Sequence, residues 1–212
     1  GTAGIGLNTS SSNVISGNLF QGVGSHLSNH TSSGVDVDAF IGANTFDRRV
    51  VIKNAGAYRV ETFDWGTFVI VRGNIQGAIE AASAGDSVIV GAGTYTEAID
   101  ITKSVTILGP NAAISPNTGV RDPEAVINPS VGDRHINMHV DNVVLKGFEI
   151  QNSANAGAIM AGTFSAHSIV SGITIEKNFF HDLSGCAIVS LSYSTSNPTD
   201  WVVTDNKIQH TV

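Results

Sequence analysis

The residues best placed by type and spacing for acid–base chemistry are His181-Asp182 and Asp205, with Lys207 and His210 close by in sequence. An imidazole beside a carboxylate can move protons near neutral pH. Two acids facing one groove a few ångströms apart can cleave a glycosidic bond. Adjacent turns of a coil put His181 level with Gln209 or His210, so a small polar cluster is expected; Asp182 and Asp205 read better as two solvated turn acids, and no catalytic residue is assigned. Asp36 and Asp38 alternate with Val35 and Val37. As a strand they share an outward face, where carboxylate oxygens could hold calcium. No glycine-rich nonapeptide repeat supplies the remaining ligands, so no cofactor is expected. His135 and His139 suit zinc only on a helix, and the alternating Ile136, Met138 and Val140 read as a strand. Cys186, between Gly185 and Ala187-Ile188-Val189, reads as a buried, inert thiol in a packed strand.

Such groups act only where a framework holds them, and the framework shows as a repeat. An apolar residue, Asn three positions on and an apolar residue two beyond recur as Ile15-Asn18-Phe20, Ile41-Asn44-Phe46, Ile175-Asn178-Phe180 and Val203-Asn206-Ile208. The asparagines stand 26 apart in the first pair and 28 in the second, about one turn of a three-stranded coil. A degenerate copy, Leu145-Phe148-Ile150, lies about one turn ahead of Asn178. Short apolar runs with small residues, such as Gly4-Ile5-Gly6-Leu7, Ala158-Ile159-Met160 and Ala187-Ile188-Val189, read as strands between Gly, Ser and Asn turns. Stacked strands lie about 4.8 Å apart, so an Asn recurring at one turn position can hydrogen-bond to the turns above and below. Asn18, Asn44, Asn178 and Asn206 are therefore expected to form a structural ladder.

One segment breaks the strand pattern. Ile75, Ala78, Ile79 and Ala82 recur at helical spacing, which predicts a short helix near residues 75–83, with Asn74 as its N-cap and Gly85 closing its far end. Strands are expected to follow over residues 87–90, 98–101 and 104–108.

Composition removes several classes of function. The chain has 212 residues, enough for one sizeable core. Only 14% of them are charged while 23 are glycine, so solubility rests on Ser, Thr and Asn. The net charge of -7 comes from scattered carboxylates, and no run of Lys or Arg tracks a phosphate backbone. No nucleic acid is expected as a partner. No apolar stretch approaches the ~20 residues of a membrane helix, so no membrane span is expected. A single cysteine leaves no internal disulfide. No initiator Met or signal-peptide pattern opens the chain, which reads as a mature product or an excised portion of something longer.

The stretch from Ile75 through Ser87-Val88-Ile89-Val90-Gly91-Ala92-Gly93-Thr94-Tyr95-Thr96-Glu97, continuing over Lys103-Ser104-Val105-Thr106-Ile107-Leu108-Gly109-Pro110-Asn111, resembles the opening of pectin-lyase-like right-handed β-helices. It is most similar to the β-helix repeats of large bacterial surface and adhesin-type proteins. The resemblance implies an all-β solenoid, a right-handed parallel β-helix in which the helix near residues 75–83 caps the first coil. It implies little about reaction, because lyases, hydrolases, esterases and non-enzymatic adhesins share that fold. The Asn-Thr-Asp, Gly-His-Gly and Arg-Ile-Lys of the family's hydrolases and the Gln-Asp-Thr of its esterases do not occur here. Arg121-Asp122-Pro123 matches the Arg-x-Pro of its lyases in letters, yet lies in an early loop and reads as a turn.

In that family the opening motif leads the coil, whereas here two good repeats precede it. Counting from Asn206 to the end and on from Gly1 to Asn18 gives 24 residues, again one turn. Residues 1–52 therefore read as turns that continue the C-terminal end, of the same molecule or of its neighbour. Residues 53–73 read as a connector, and 74–212 as capping helix and main coil. The expected function is a non-catalytic extracellular or cell-surface module that stacks head-to-tail on itself, with a surface polysaccharide as a further partner. A carbohydrate-active lyase, hydrolase or epimerase is the alternative.

Overall fold

The computed structural model describes residues 3–7, 12–23, 25–30, 36–54, 57–58, 60–63, 66–129, 134–153, 157–163, 168–191 and 197–209. Among these the chain is mostly β, with two short helices. An N-terminal block contains β1 (Ala3–Leu7), β2 (Leu19–Phe20), β3 (Ser25–His30), α1 (Val37–Ala43), β4 (Thr45–Phe46) and β5 (Val50–Asn54). Strands β6 (Ala57–Tyr58), β7 (Val60–Phe63) and β8 (Gly66–Arg72) follow, and then α2 (Ile75–Ala81).

From Ser87 onward the chain repeats one itinerary. The first turn is β9 (Ser87–Val90), β10 (Gly93–Tyr95) and β11 (Ile99–Ile101), and the second is β12 (Thr106–Leu108), β13 (Ala125–Ile127) and β14 (Ile136–Met138). The third is β15 (Val144–Lys146), β16 (Glu149–Gln151) and β17 (Ile159–Ala161). The fourth is β18 (Thr174–Glu176), β19 (Phe179–His181) and β20 (Ile188–Ser190), and a fifth begins with β21 (Val202–Thr204) and β22 (Lys207–Gln209). Corresponding strands pair in parallel, giving the runs β9-β12-β15-β18-β21, β10-β13-β16-β19-β22 and β11-β14-β17-β20. Parallel neighbours need a crossover between them, and here the other two strands of each turn supply it.

The period-two alternation of these short strands points one set of apolar side chains inward. Val88, Ile107, Leu145, Ile175 and Val203 stand level in the first run, and Tyr95, Ile127, Ile150, Phe180 and Ile208 in the second. Ile99, Ile136, Ile159 and Ile188 stand level in the third. Within the column, Leu145, Ile150, Ile175 and Phe180 are essentially inaccessible, a state that favours folding by about 1.5–3 kcal/mol for each large side chain. Their equivalents in the fifth turn, Val203 and Ile208, are 49% and 62% exposed, because no further turn covers them among the described residues.

The helix α2 lies against the other end, with Ile75, Ala78 and Ile79 buried in the main core. It stops at Ala81, and the expected cap is a different residue. Asn74 makes no side-chain cap bond; the carboxylate of Glu97 accepts the Ile75 and Gln76 backbone N–H groups at 2.7 and 2.9 Å. Gly85, with φ +88°, lies past the C-cap at Ala82, in the turn that leads to β9. Neither helix is long and apolar enough to cross a membrane.

The N-terminal block does not sit on its own molecule's C-terminal end. β5 pairs antiparallel with β9, matching Val51 to Ile89 and Ile52 to Val88, and β1, β3, β8 and β5 extend the first run beyond β9. The described strands of residues 1–52 in this sheet, β1, β3 and β5, thus lie on the β9 side of the first run, at the end opposite β21, and not on the chain's own C-terminal end. The physical reason is the buried edge Val50-Val51-Ile52, which satisfies the otherwise open edge of β9. β2 and β4 form a separate parallel ribbon over a second, smaller core of Phe20, Leu27, Phe40 and Val51. Within the connector, β7 and β8 form an antiparallel pair.

Candidate functional site

Between a first-run strand and its second-run successor the chain turns through two residues, Gly147-Phe148, Lys177-Asn178 and Asp205-Asn206. The first of each pair takes a left-handed φ, +79°, +55° and +52° respectively. Gly17-Asn18 repeats this corner, with Gly17 at φ +70°. The second residue of the corner carries the asparagine row. The Phe148 N–H donates to Asn178 Oδ1 at 3.0 Å, and the Asn178 N–H donates to Asn206 Oδ1 at 2.9 Å. Asn178 Nδ2 donates to the Leu145 carbonyl at 3.1 Å, and Asn206 Nδ2 to the Ile175 carbonyl at 2.8 Å. In the N-terminal block the Asn18 N–H donates to Asn44 Oδ1 at 3.0 Å, while Asn44 Nδ2 donates to the Ile15 carbonyl at 2.8 Å.

On the outer face of the second run, Glu149, Phe179 and Lys207 stand level across three turns, as do Gln151, His181 and Gln209. His181 is brought together with Asp182 through Nδ1 at 2.7 Å and with Glu149 through Nε2 at 3.1 Å. Partial burial disfavours its charged form, but the hydrogen bonds it makes to the carboxylates of Asp182 and Glu149 outweigh that, so its pKa lies above the ordinary value. A carboxylate oxygen thus stands within hydrogen-bond distance of each ring nitrogen, where it can accept that nitrogen's N–H. The Phe179 ring packs against His181 with centroids 4.7 Å apart, and Lys207 Nζ lies 5.1 Å from the centre of the same ring. Glu149 was missed in the sequence. The Leu145-Phe148-Ile150 copy carried the signal, since aligning it on Ile175-Asn178-Phe180 sets Glu149 beside Phe179.

Asp205 does not join this cluster. It occupies the corner before β22, whereas Asp182 follows the far end of β19. At roughly 3.3 Å per residue this separates the two carboxylates by on the order of 10 Å or more along the strand, outside the spacing of a retaining pair. Asp205 instead accepts a 2.5 Å hydrogen bond from Ser115, which with Asn117 and nearby Lys177 holds its carboxyl below the usual range. Ser115 belongs to residues 109–124, a strap that leaves the second turn and runs down the corners. Gly147 meets Ala112 so closely that an added Cβ would fall 2.1 Å from its backbone nitrogen. Arg121 donates to the Lys177 carbonyl at 3.0 Å and pairs with Glu124, so Arg121-Asp122-Pro123 is part of this strap.

The remaining candidates also resolve. Asp36 and Asp38 share no strand face, because residues 37–43 form α1. Asp36 is the N-cap of that helix, accepting the Ala39 N–H at 3.0 Å, and Asp38 lies in its first turn. The calcium geometry expected of an outward strand is therefore lost. His135 is buried, its Nε2 2.6 Å from the Gln151 carbonyl, and burial lowers its pKa. His139 contacts Thr163 and Asp100. Cys186 is exposed, contrary to the buried thiol expected, because the strand begins at Ile188 and leaves Cys186 in the preceding turn. His210 lies outside the described residues.

Clefts gather elsewhere, where the N-terminal block meets the first turn. Arg49 lines them with Phe46, Ile89, Gly91 and Ala92, and its guanidinium carbon sits 5.8 Å from the centre of the Phe46 ring. The His181 strand is three strands away in the second run. Searches against protein-family models, curated proteins and solved structures return no match to this chain.

Proposed function

We propose that the chain is a right-handed parallel β-helix of the pectin-lyase-like kind whose work is mechanical. It serves as a stiff, non-catalytic module of a surface or extracellular assembly. Support for the hand comes from the near-universal right-handedness of parallel crossovers. One observation carries the functional reading: the polar groups best suited to chemistry are spent on tying one turn to the next. His181 ties the fourth turn to Glu149 of the third, Asp205 ties the fifth to the strap of the second, and the asparagine row runs through the corners. Each of these contacts holds one turn in register with another, which supports a mechanical role.

A carbohydrate-active enzyme is the second reading, favoured by the Phe179, His181 and Lys207 platform, on which a sugar ring of a surface polysaccharide could stack. The test is incubation with acidic and neutral polysaccharides, reading new reducing ends and unsaturated uronates. No turnover is expected. Turnover that Asp182→Asn and Glu149→Gln both abolish would replace the mechanical reading with the enzymatic one.

A further inference from the structure

Resting on the coil reading, we propose that the fifth turn is the docking site for the β2 segment of a second copy, residues 14–21, with Asn18 of that copy continuing the asparagine row below Asn206. The row obeys a rule. Each asparagine donates Nδ2 to the carbonyl three residues before the preceding corner residue: Leu145 before Phe148, Ile175 before Asn178, Ile15 before Asn18. Each also accepts, on Oδ1, the N–H of that preceding corner residue. Applied once more, the rule requires Asn18 of the incoming copy to donate to the Val203 carbonyl and to accept the Asn206 N–H.

Each end holds half of that arrangement. Among the described residues, the Asn206 N–H and the Asn18 Oδ1 have no partner, and Asn18 Nδ2 turns back to Ser16 just as Asn206 Nδ2 also does to Thr204. The complementarity is one of partial charges: a donor and an acceptor on one end face an acceptor and a donor on the other. The corner geometry matches as well, Gly17 before Asn18 sharing the left-handed φ of Asp205 before Asn206.

The apolar surface agrees. Val14, Leu19, Val202, Val203 and Ile208 are five of the six exposed large hydrophobic side chains among the described residues. The register carried forward sets Val14 beside Val202, Ile15 beside Val203, Leu19 beside Lys207 and Phe20 beside Ile208. The two surfaces lie at opposite ends of one molecule. β4 borders Gly91 and Ala92 of the first turn, which leaves β2 as the outer strand of its ribbon, while β22 is the last of its run. Such a contact is heterologous and leaves both outer ends open, so copies add in one direction.

The test uses the full chain with Cys186→Ser, so that the exposed thiol cannot cross-link. The register sets Gln209 of one copy opposite Gln21 of the next, within disulfide reach. With Gln21→Cys and Gln209→Cys, oxidation is expected to give a ladder of covalent oligomers, and Gln209→Cys paired with Leu7→Cys none. By sedimentation the parent chain is expected to associate with rising concentration, and Asn18→Ala to weaken that about tenfold. Ile208→Glu and Leu19→Glu are expected to be monomeric apart and to form only one-to-one dimers together. A monomer at all concentrations, or cross-linking independent of register, would overturn the docking. Amide exchange separates this from failure of the coil itself. Protected β12–β19 amides in a strictly monomeric chain condemn only the docking, and unprotected ones condemn the coil.

Discussion

Two histidines of this molecule have been pushed in opposite directions, and each direction has a cause that can be named. His181 is raised because its two carboxylate partners outweigh partial burial; His26 is lowered to about 4 by burial against Phe20 and Phe46, with Asp47 opposing. The signs of their pH effects follow. A raised pKa means that the folded chain binds the proton more tightly, so the stability from His181 is full below the unfolded value of 6.5 and is lost as pH rises through the folded value. For His26 the unfolded chain binds the proton more tightly, so stability is lost as pH falls from 6.5 towards about 4. Thermal melting of the parent chain is expected to decline above about pH 6.5, and His181→Gln is expected to flatten that decline. An unchanged slope in the variant removes the two-carboxylate account. The pairing of His181 with Asp182 was visible in the sequence as adjacency. Its third member was not, because Glu149 is 32 residues away and becomes a neighbour only through strand register.

At the scale of elements, the strands were more legible than the helices. A buried three-residue strand advertises itself by alternation and by recurrence at one turn's spacing, as Ile175 and Val203 do. Helix caps can be distant in sequence. Asn74 has the right type and place for a cap, yet Glu97 from the turn after β10 takes the role with both oxygens. Glu97→Ala is expected to cost about 1–2 kcal/mol of stability and Asn74→Ala much less, read as shifts in urea midpoint. Equal losses from the two would return the cap to Asn74. The misreading of Val35 to Asp38 has a similar origin. Four residues of alternation satisfy a strand template, but Asp36 also opens a helical run through Phe40 and Ile41, and capping decided between them.

For the molecule as a whole, the order of repeats was legible and the position of the first two was not. Nothing in the turn pattern of residues 1–52 encodes the antiparallel pairing of β5 with β9, which depends on an edge contributed by a distant segment of the chain. The consequence is a molecule with two cores of unequal size. The large one takes in Val50 and Ile52 of β5 and runs on from Ile75 to Ala187, and the small one gathers Phe20, Leu27, Phe40 and Val51. The smaller core buries less apolar surface and should open first. Hydrogen exchange followed by mass spectrometry is expected to show α1 and the β2–β4 ribbon exchanging well before β12, β15 and β18. Uniform exchange would mean that the two cores unfold as one.

The strap over residues 109–124 has a bearing on how a gene for such a chain can grow. It leaves the second turn and touches the next three corners, Gly147 through Ala112, Asp205 through Ser115 and Asn117, and Lys177 through Arg121. Duplicating a turn anywhere between the second and the fifth would slide those corners past the strap and strand Arg121 and Ser115 against the wrong partners. A turn duplicated after Gln209 disturbs none of them. Lengthening is thus excluded only between the second and fifth turns, and the strap acts as a tally that fixes the number of turns within its reach.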